Sequence, residues 1–392
     1  MDRTTTACTR RAALTAALAT TAACGSALAQ GAASANALNQ EERQPLVLDK
    51  MGSFMFGGTT ITSPTGETFH GDHGYAQYLI PQNARQYPLV MWHGLGQSGK
   101  TWESTPDGRE GFQQIFARRG WPVYIIDQPR RGRAGRATVL DPEPPTNPTL
   151  QAESEAWNTF RLGVWTPPQR RTFFPGVQFS RDWPSINQFL RQQTPNTGAE
   201  PFPSAEHRDF LGTTVARLFH RIGPGVLVTH SHSGQYGWAT VMKAPNLVKA
   251  VVAYESGEFS FPENELPPDV PTAHPDWGSI LAPQPVPMSE FMRLTRIPIQ
   301  LVYGDNITSI PSDIFGVEIW RIIRERAKQF VAAVNRHGGN AQYIELPQLG
   351  IRGNTHFPMS DLNNQQIANL LSQYLHSIGL DRRDAPHQGP GR

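Results

Sequence analysis

Hydrophobic and polar positions follow two different patterns in the first third of the chain. Residues 46–80 alternate between apolar and polar side chains, with breaks at Gly57-Gly58 and Pro64-Thr65-Gly66, which predicts antiparallel strands joined by turns. Residues 88–92 and 121–127 are continuous apolar runs, typical of strands buried on both faces. Residues 111–119, between these runs, have helical spacing. Strand, helix and strand in this order predict a βαβ unit and a parallel sheet.

The same alternation of strands and helices resumes after residue 204. The pattern predicts helices at 207–222, 235–244, 314–337 and 365–378, strands at 225–230, 249–254, 299–303 and 341–346, and a proline-rich loop over 257–297. The fold class predicted for residues 46–380 is therefore α/β. We expect a mostly parallel, twisted sheet with helices on both faces.

Residues 130–204, referred to below as the insertion, interrupt this rhythm. Four prolines lie between positions 142 and 148, and seven tryptophans and phenylalanines follow between positions 157 and 183. A chain of 392 residues is long enough to carry such a segment on a regular scaffold. We interpret it as a lid-like insertion. Its aromatic residues either line an apolar pocket or form a core of their own.

The first 29 residues are predicted to be a signal peptide. Arg10 and Arg11 precede a short Ala/Leu/Thr run that ends in the small-residue pattern of residues 27–29. This run is too short for a transmembrane helix. Both general and twin-arginine export remain open, as do a periplasmic and an extracellular destination. Residues 30–45 are predicted to be a flexible leader, and residues 381–392 a disordered tail.

Removal of this segment changes the composition of the protein. Cys8 and Cys24, the two cysteines of the chain, both lie in it, so the mature protein would hold no disulfide, thiolate nucleophile or cysteine-ligated metal. Cleavage also leaves 32 basic and 32 acidic residues. A net charge near zero argues against nucleic acid as a partner.

The clearest chemical motif is Ser231-His232-Ser233-Gly234-Gln235, between a predicted strand and a predicted helix. A nucleophile elbow requires this context, because a sharp turn lifts a serine above the sheet edge. We interpret Ser233 as the nucleophile and the amide of Gly234 as an oxyanion-hole donor. The motif departs from G-x-S-x-G, with Ser231 and Gln235 at the glycine positions. The alternative is an ordinary strand-to-helix loop.

A second motif, His93-Gly94-Leu95-Gly96, ends the first buried strand. In a hydrolase of this architecture, the loop after that strand gives one backbone N–H to the oxyanion hole. Leu95 is the predicted donor, with Gly96 as the next choice. We expect His93 to position this loop and not to react.

His356 is the predicted base. It lies in the loop after the last predicted strand, from which a side chain can reach across the carboxyl edge of the sheet. The pKa of an imidazole suits proton transfer near neutral pH. His230 and His232 flank Ser233 directly, and we interpret both as structural.

The third group must be a carboxylate that orients His356. Asp305 follows the strand after which most α/β hydrolases place the acid, and Glu255 ends the preceding strand. The residue types alone favour Asp305.

The chain resembles the Alcaligenes-type secreted bacterial esterases, a group with the α/β-hydrolase fold. The similar segments are 93–94, 101–103, 105–109, 127–128, 131–133, 229–234, 255–258, 350, 353–356 and 363–364. The resemblance implies Ser233 as nucleophile and His356 as base. It also implies Glu255 as the acid, which reverses the choice of Asp305. Leu95 and Gly96 stand where that group has adjacent cysteines.

Together these residues predict a carboxylic ester hydrolase that works through an acyl-enzyme intermediate and needs no cofactor or metal. The predicted partner is a small, apolar ester substrate. We expect the protein to bind no nucleic acid and to have no transmembrane segment. An amidase or lactonase would use the same Ser-His-Glu triad, and a non-catalytic binding protein on the same fold is a further alternative. The sequence does not give the oligomeric state, the natural substrate or its chain length.

Overall fold

The computed structural model describes residues 45–138, 151–198 and 200–391. Its strands are β1 (Leu48–Thr62), β2 (Thr68–Pro81), β3 (Leu89–Trp92), β4 (Val123–Asp127), β5 (Gly225–His230), β6 (Val248–Tyr254), β7 (Ser260–Pro262), β8 (Gln284–Val286), β9 (Pro298–Tyr303) and β10 (Asn340–Glu345). Its α-helices are α1 (Phe112–Arg118), α2 (Glu153–Thr159), α3 (Trp183–Arg191), α4 (Ala205–Ile222), α5 (Ser233–Lys243), α6 (Pro275–Ile280), α7 (Met288–Leu294), α8 (Phe315–Arg336) and α9 (Asn364–Ser377).

Eight strands form one sheet in the order β1-β2-β4-β3-β5-β6-β9-β10. The pairs β1/β2 and β2/β4 are antiparallel, and the remaining pairs from β4 to β10 are parallel. The predicted fold class, a mostly parallel sheet with helices, is confirmed. All parallel strands end at the same edge, so the residues that follow β3, β5, β6 and β9 come together there.

Two hydrophobic cores lie on the two faces of this sheet. Residues of β3 alternate between them: Val90 and Trp92 belong to the core that contains α4, α5 and α8, whereas Leu89 and Met91 belong to the core with α1 and α9. This alternation explains why the strand is an uninterrupted apolar run in the sequence, because both of its faces are covered.

Two regions differ from the sequence pattern. Gly57 and Gly58 have φ of 64° and 90°, yet Gly57 pairs with His73 and the hairpin of β1 and β2 continues past them. Residues 257–297, predicted as a loop, contain β7, α6, β8 and α7. These elements are three to seven residues long, too short to produce a readable hydrophobic period.

The described part of the insertion contains α2 and α3 and packs against the core with α9. Trp157, Phe160, Phe179 and Phe189 are almost fully buried, and Phe160 and Phe189 each contact Phe357 of the scaffold. For Trp157, Phe160 and Phe179 the structure favours the packing interpretation, whereas Trp183 is 51% exposed. Residues 139–150 lie outside the described residues.

The two ends of the chain differ in what the structure describes. The predicted signal peptide and residues 30–44 of the predicted leader lie outside the described residues. Residues 381–391, predicted as a disordered tail, contact the β1–β2–β4 side of the sheet: His387 Nε2 lies 2.8 Å from the Tyr124 hydroxyl, and Lys50 donates to the Gln388 carbonyl at 2.9 Å. Within the described ranges, no helix combines the length and apolar character needed to span a membrane.

Candidate active site

The turn between β5 and α5 has its sharp bend at Ser231. This residue has φ of +55°, whereas His232 already has helical angles and Ser233 is the first residue of α5. A left-handed conformation is uncommon and costly for a residue with a side chain, and it persists where the surrounding structure imposes it. A nucleophile elbow places its serine at such a strained strand-to-helix turn. Ser231 therefore has the backbone geometry expected of that serine.

Ser233 has a different environment. Its side chain is 1% exposed, and its hydroxyl lies 2.9 Å from the His230 carbonyl and 3.1 Å from the Trp92 carbonyl. The hydroxyl oxygen also accepts the His230 amide at 3.0 Å. These bonds tie the start of α5 to the ends of β3 and β5. The structure thus places Ser233, the nucleophile predicted from the sequence, buried at the first position of α5, whereas the half-buried Ser231 lies at the bend.

The loop after β3 lies directly against Ser231. A methyl group on Gly94 would come within 2.9 Å of Cβ of Ser231 and 3.1 Å of His230 Nδ1, so only glycine fits here. The next residue, Leu95, has a side chain that is 55% exposed. The loop that the sequence predicts to supply an oxyanion donor is therefore next to Ser231.

The amides around this turn have different partners. The N–H of Gly234, an oxyanion donor predicted from the sequence, donates to the Ser231 carbonyl at 3.0 Å. Among the described residues, no backbone carbonyl accepts a hydrogen bond from the amide of Leu95 or of His232. His232 directly follows Ser231, which is the position that gives the second oxyanion donor when Ser231 is the nucleophile.

His356 lies beside Glu255. The imidazole Nδ1 is 3.3 Å from a Glu255 carboxylate oxygen, and the two side chains are 1% and 0% exposed. Glu255 follows β6 directly with φ of +54°, a second strained residue at the carboxyl edge of the sheet. Of the two predicted acids, the structure brings Glu255 to the imidazole.

Asp305 supports the loop of His356 without contacting the ring. Its carboxylate accepts the amides of Gly353 at 2.9 Å and Asn306 at 2.7 Å, and its own amide donates to the Asn354 carbonyl at 2.8 Å. Asp305 therefore positions the segment that leads to His356.

The two histidines predicted to be structural have protein partners. His230 Nε2 lies 2.7 Å from the His356 carbonyl, and His230 is the donor because a carbonyl oxygen only accepts. Burial lowers the pKa of His230 well below its usual value, so this ring is neutral. His232 Nδ1 lies 2.9 Å from Glu258, and the Tyr236 hydroxyl lies 2.9 Å from His232 Nε2.

Glu255 has further partners that the sequence did not indicate. Its second carboxylate oxygen accepts Arg161 Nη2 at 2.6 Å and the Gly304 amide at 2.5 Å. The amide of His356 donates to the Phe160 carbonyl at 3.0 Å, and the Phe160 ring is parallel to the imidazole at a centroid distance of 5.6 Å. Phe160 and Arg161 are consecutive residues of the insertion. The bond from Arg161 to Glu255 spans 94 residues of sequence, and no local motif predicts it.

The charges of this site follow from burial and from Arg161. Burial acts to raise the pKa of Glu255, but the Arg161 charge and the hydrogen bonds from His356 and Arg161 outweigh it, and the pKa falls to about 2. Burial lowers the pKa of His356 to about 4, although the hydrogen bond to Glu255 opposes this. Near neutral pH, Glu255 is thus an anion and His356 a neutral base, the states that general-base chemistry needs.

This geometry agrees with the similarities of the chain to known proteins. A solved structure described as a novel bacterial esterase is 30% identical, with a TM-score of 0.65, and the alignment covers 85% of this chain and 97% of that one. The chain belongs to the α/β-hydrolase superfamily and to its bacterial esterases. It is an esterase-like hydrolase. A probable secreted lipase, phiG, of Fungal sp. (strain ATCC 74256) is 27% identical over 77% of this chain and 85% of its own length. No protein-family model matches this hydrolase.

Proposed function

We propose that this hydrolase cleaves carboxylic esters with Ser231 as nucleophile, His356 as general base and Glu255 as the acid that orients the base. The observation that carries the proposal is the strained, half-buried Ser231 directly after β5, in contact with the Gly94 loop. Ser233 supports this turn through its bonds to the backbone of β3 and β5.

The first step is attack by the Ser231 hydroxyl on the ester carbonyl. Nε2 of His356 takes the hydroxyl proton, since Nδ1 faces Glu255. The low pKa of His356, about 4, keeps the ring neutral and able to accept a proton at the pH of most assays. Glu255 fixes the tautomer and stabilises the imidazolium that forms.

The oxyanion is held by backbone amides in this proposal. The N–H groups of Leu95, in the loop after β3, and of His232, the residue after Ser231, are the donors. A preorganised donor of this kind contributes about 3 kcal/mol to the stabilisation of the transition state. Leu95 keeps the role predicted from the sequence, and His232 takes the role assigned there to Gly234.

The second half of the reaction releases the acid. The imidazolium of His356 protonates the leaving alcohol, which leaves an acyl group on Ser231. His356 then takes a proton from water as the water oxygen attacks the acyl carbonyl. It returns this proton to the Ser231 oxygen as the acyl–oxygen bond breaks and the carboxylic acid leaves. No step of this sequence requires a metal or cofactor.

The proposed substrate is a small, apolar ester, and the proposed location is outside the cytoplasm. Support for export comes from the signal-peptide pattern of residues 1–29 and from the similarity to a probable secreted lipase. N-terminal sequencing of the protein secreted by its host would test cleavage after Ala29. A mature chain that retains residues 1–29 would contradict export by this route.

A fluorophosphonate probe tests the nucleophile directly, because it forms a covalent adduct with an activated serine. We expect one adduct per chain, and fragmentation of the peptide that contains residues 231 and 233 should place it on Ser231. An adduct on Ser233 would overturn the assignment of the nucleophile. Absence of any adduct on folded protein would contradict the serine-hydrolase mechanism.

A further inference from the structure

Arg161 reaches from the insertion into the centre of the site. It follows α2 and has φ of +57°, and its side chain is 2% exposed. Nη2 donates to Glu255 at 2.6 Å, and Nε donates to the Asp305 carbonyl at 2.9 Å. The two hydrogen bonds fix the plane of the guanidinium, which a single contact would leave free to rotate.

An aromatic side chain links Arg161 to the proposed base. The guanidinium carbon lies 5.0 Å from the centroid of the Trp320 ring, and that ring lies 4.3 Å from the imidazole of His356. Trp320 Nε1 donates to the Thr159 carbonyl at 2.6 Å, so the ring is anchored to the end of α2. The end of α2 and the two residues after it therefore contact both members of the His356–Glu255 pair.

The charge of Arg161 balances that of Glu255. A carboxylate that is fully buried loses its hydration and favours the protonated form unless a cation or several donors compensate. Without Arg161, the pair of Glu255 and neutral His356 would be a net negative charge in a buried site. The pair would then bind a proton more readily, whichever of the two groups took it.

The other titratable groups around the pair do not supply this compensation. His230, on β5, and Tyr303, on β9, are both neutral, since burial lowers the pKa of the first and raises that of the second. Asp305, after β9, brings no positive charge, and its carboxyl oxygens accept backbone amides. Burial raises the pKa of Asp361 to about 7, and its carboxyl accepts the amide and hydroxyl of Thr355.

We propose that Arg161 is a positioning residue for catalysis, which holds Glu255 ionised and correctly oriented so that His356 remains an unprotonated base in acidic solution. This inference rests on the proposed function of His356 and Glu255. It gives the insertion a role in the chemistry of the site in addition to covering it.

The test is the pH dependence of kcat/KM for p-nitrophenyl butyrate in wild type, Arg161→Met and Arg171→Met. Arg171 is the matched control: it also belongs to the insertion, pairs with a carboxylate, Glu153, and lies over tryptophan rings, but it does not contact the site. Wild type should lose activity as the pH falls through the His356 pKa of about 4. In Arg161→Met that loss should occur about one pH unit or more higher, because a cation in contact is removed.

We expect kcat/KM of Arg161→Met to fall about 10- to 100-fold near neutral pH, and that of Arg171→Met to stay within about threefold with an unchanged profile. Asp361 can add a second inflection near pH 7. An inflection that disappears in Asp361→Asn is assigned to Asp361, and only the acidic inflection tests the inference about Arg161. If folded Arg161→Met shows the acidic inflection of kcat/KM at the same pH as wild type, the inference is overturned. Lost packing alone would lower kcat/KM without changing the pH of this inflection.

Arg161→Lys provides a second, milder test that stands if Arg161→Met does not fold. Lysine keeps the charge but cannot donate to Glu255 and the Asp305 carbonyl as a planar fork. The acidic inflection should therefore stay near its wild-type position, while kcat falls about tenfold at an unchanged KM. A wild-type kcat in Arg161→Lys would contradict the positioning role.

Ser231→Ala separates the two proposals. The proposed function fails if the wild-type protein does not hydrolyse the ester, or if the Ser231→Ala variant hydrolyses it as fast as wild type. If activity depends on Ser231 and Arg161→Met leaves the acidic inflection in place, only the inference about Arg161 fails. A shift of that inflection in Arg161→Met alone, with Ser231-dependent activity, supports both.

Discussion

The scaffold and the insertion contribute to this site in different ways. The scaffold provides groups placed by the ends of regular strands: Gly94 after β3, Ser231 after β5, Glu255 after β6 and His356 after β10. The insertion provides Phe160 against the imidazole and Arg161 against the carboxylate. The proposed reacting groups thus come from one region, and the groups that shield and balance them come from the other. Substitutions in the scaffold should stop the reaction, whereas those in the insertion should change its rate and pH dependence.

Backbone strain connects the two regions. Ser231, Glu255 and Arg161 all have φ between 54° and 57°, in the left-handed region that residues with side chains rarely adopt. Strain of this kind persists only where the surrounding contacts impose it, and it is concentrated at functional sites. Each of the three residues comes shortly after a regular element, and the side chains of Glu255 and Arg161 share a hydrogen bond at the centre of the site.

The largest effect that we predict is for Ser231→Ala, compared with Ser233→Ala. Loss of the proposed nucleophile should lower kcat for p-nitrophenyl butyrate by at least about 10³-fold, while the fold is kept. Ser233→Ala removes bonds to the His230 and Trp92 backbone, so it should cost about 1 kcal/mol of stability and less than about tenfold in kcat. Kinetics and thermal unfolding of both variants decide the comparison. A reversed order of activities would restore Ser233 as the nucleophile.

The next effect concerns the two carboxylates. Glu255→Gln keeps the shape of the side chain but removes the charge that orients His356, so kcat should fall about 10²- to 10⁴-fold. Asp305→Asn weakens the bond to the Gly353 amide and should lower kcat by less than about tenfold. Equal losses in the two variants, measured on folded protein, would show that Glu255 has no special role.

A smaller loss is expected when the loop beside Ser231 is displaced. Gly94→Ala would put a methyl group within 2.9 Å of Cβ of Ser231, so the loop must move and take the Leu95 amide with it. We expect kcat to fall about 10- to 10²-fold, less than for complete loss of one oxyanion donor, because the amide is displaced and not removed. Gly257→Ala is the control, because Gly257 also contacts this turn, through its amide, but a methyl group there meets its nearest neighbour, Ile323, at 3.9 Å. Similar losses in both variants would mean that any change near the turn is equally harmful.

The sequence predicts the scaffold well for a simple reason. Strands β3, β5, β6 and β9 lie inside the parallel part of the sheet, and burial on both faces requires the apolar runs by which they are recognised. His356 is proposed as the base on the same grounds, because this fold places its base in the loop after the last strand. The elements between 257 and 297 are too short for their periodicity to be detected.

The sequence does not indicate which serine lies at the bend or which residues contact Glu255. Ser231 and Ser233 both lie between the strand and the helix, and only the backbone angles show which of them occupies the bend. The choice between Glu255 and Asp305 depends on which carboxylate faces the imidazole, a tertiary distance. Arg161 lies in a segment without a regular pattern, and its contact with Glu255 is made only when the insertion folds onto the sheet.

The smallest effect should come from Phe160→Leu, on the insertion side of the comparison. The variant keeps an apolar side chain but loses the ring that is parallel to the imidazole, so His356 gains freedom to rotate and some access to water. We expect kcat/KM to fall about two- to tenfold, with the loss mainly in kcat. Phe173→Leu is the control within the insertion, because Phe173 packs against Trp157 at a centroid distance of 4.7 Å. Both variants should lose about 1 kcal/mol of stability, but only Phe160→Leu should lower kcat. An equal loss of kcat in the two variants would mean that the insertion acts through its stability as a whole.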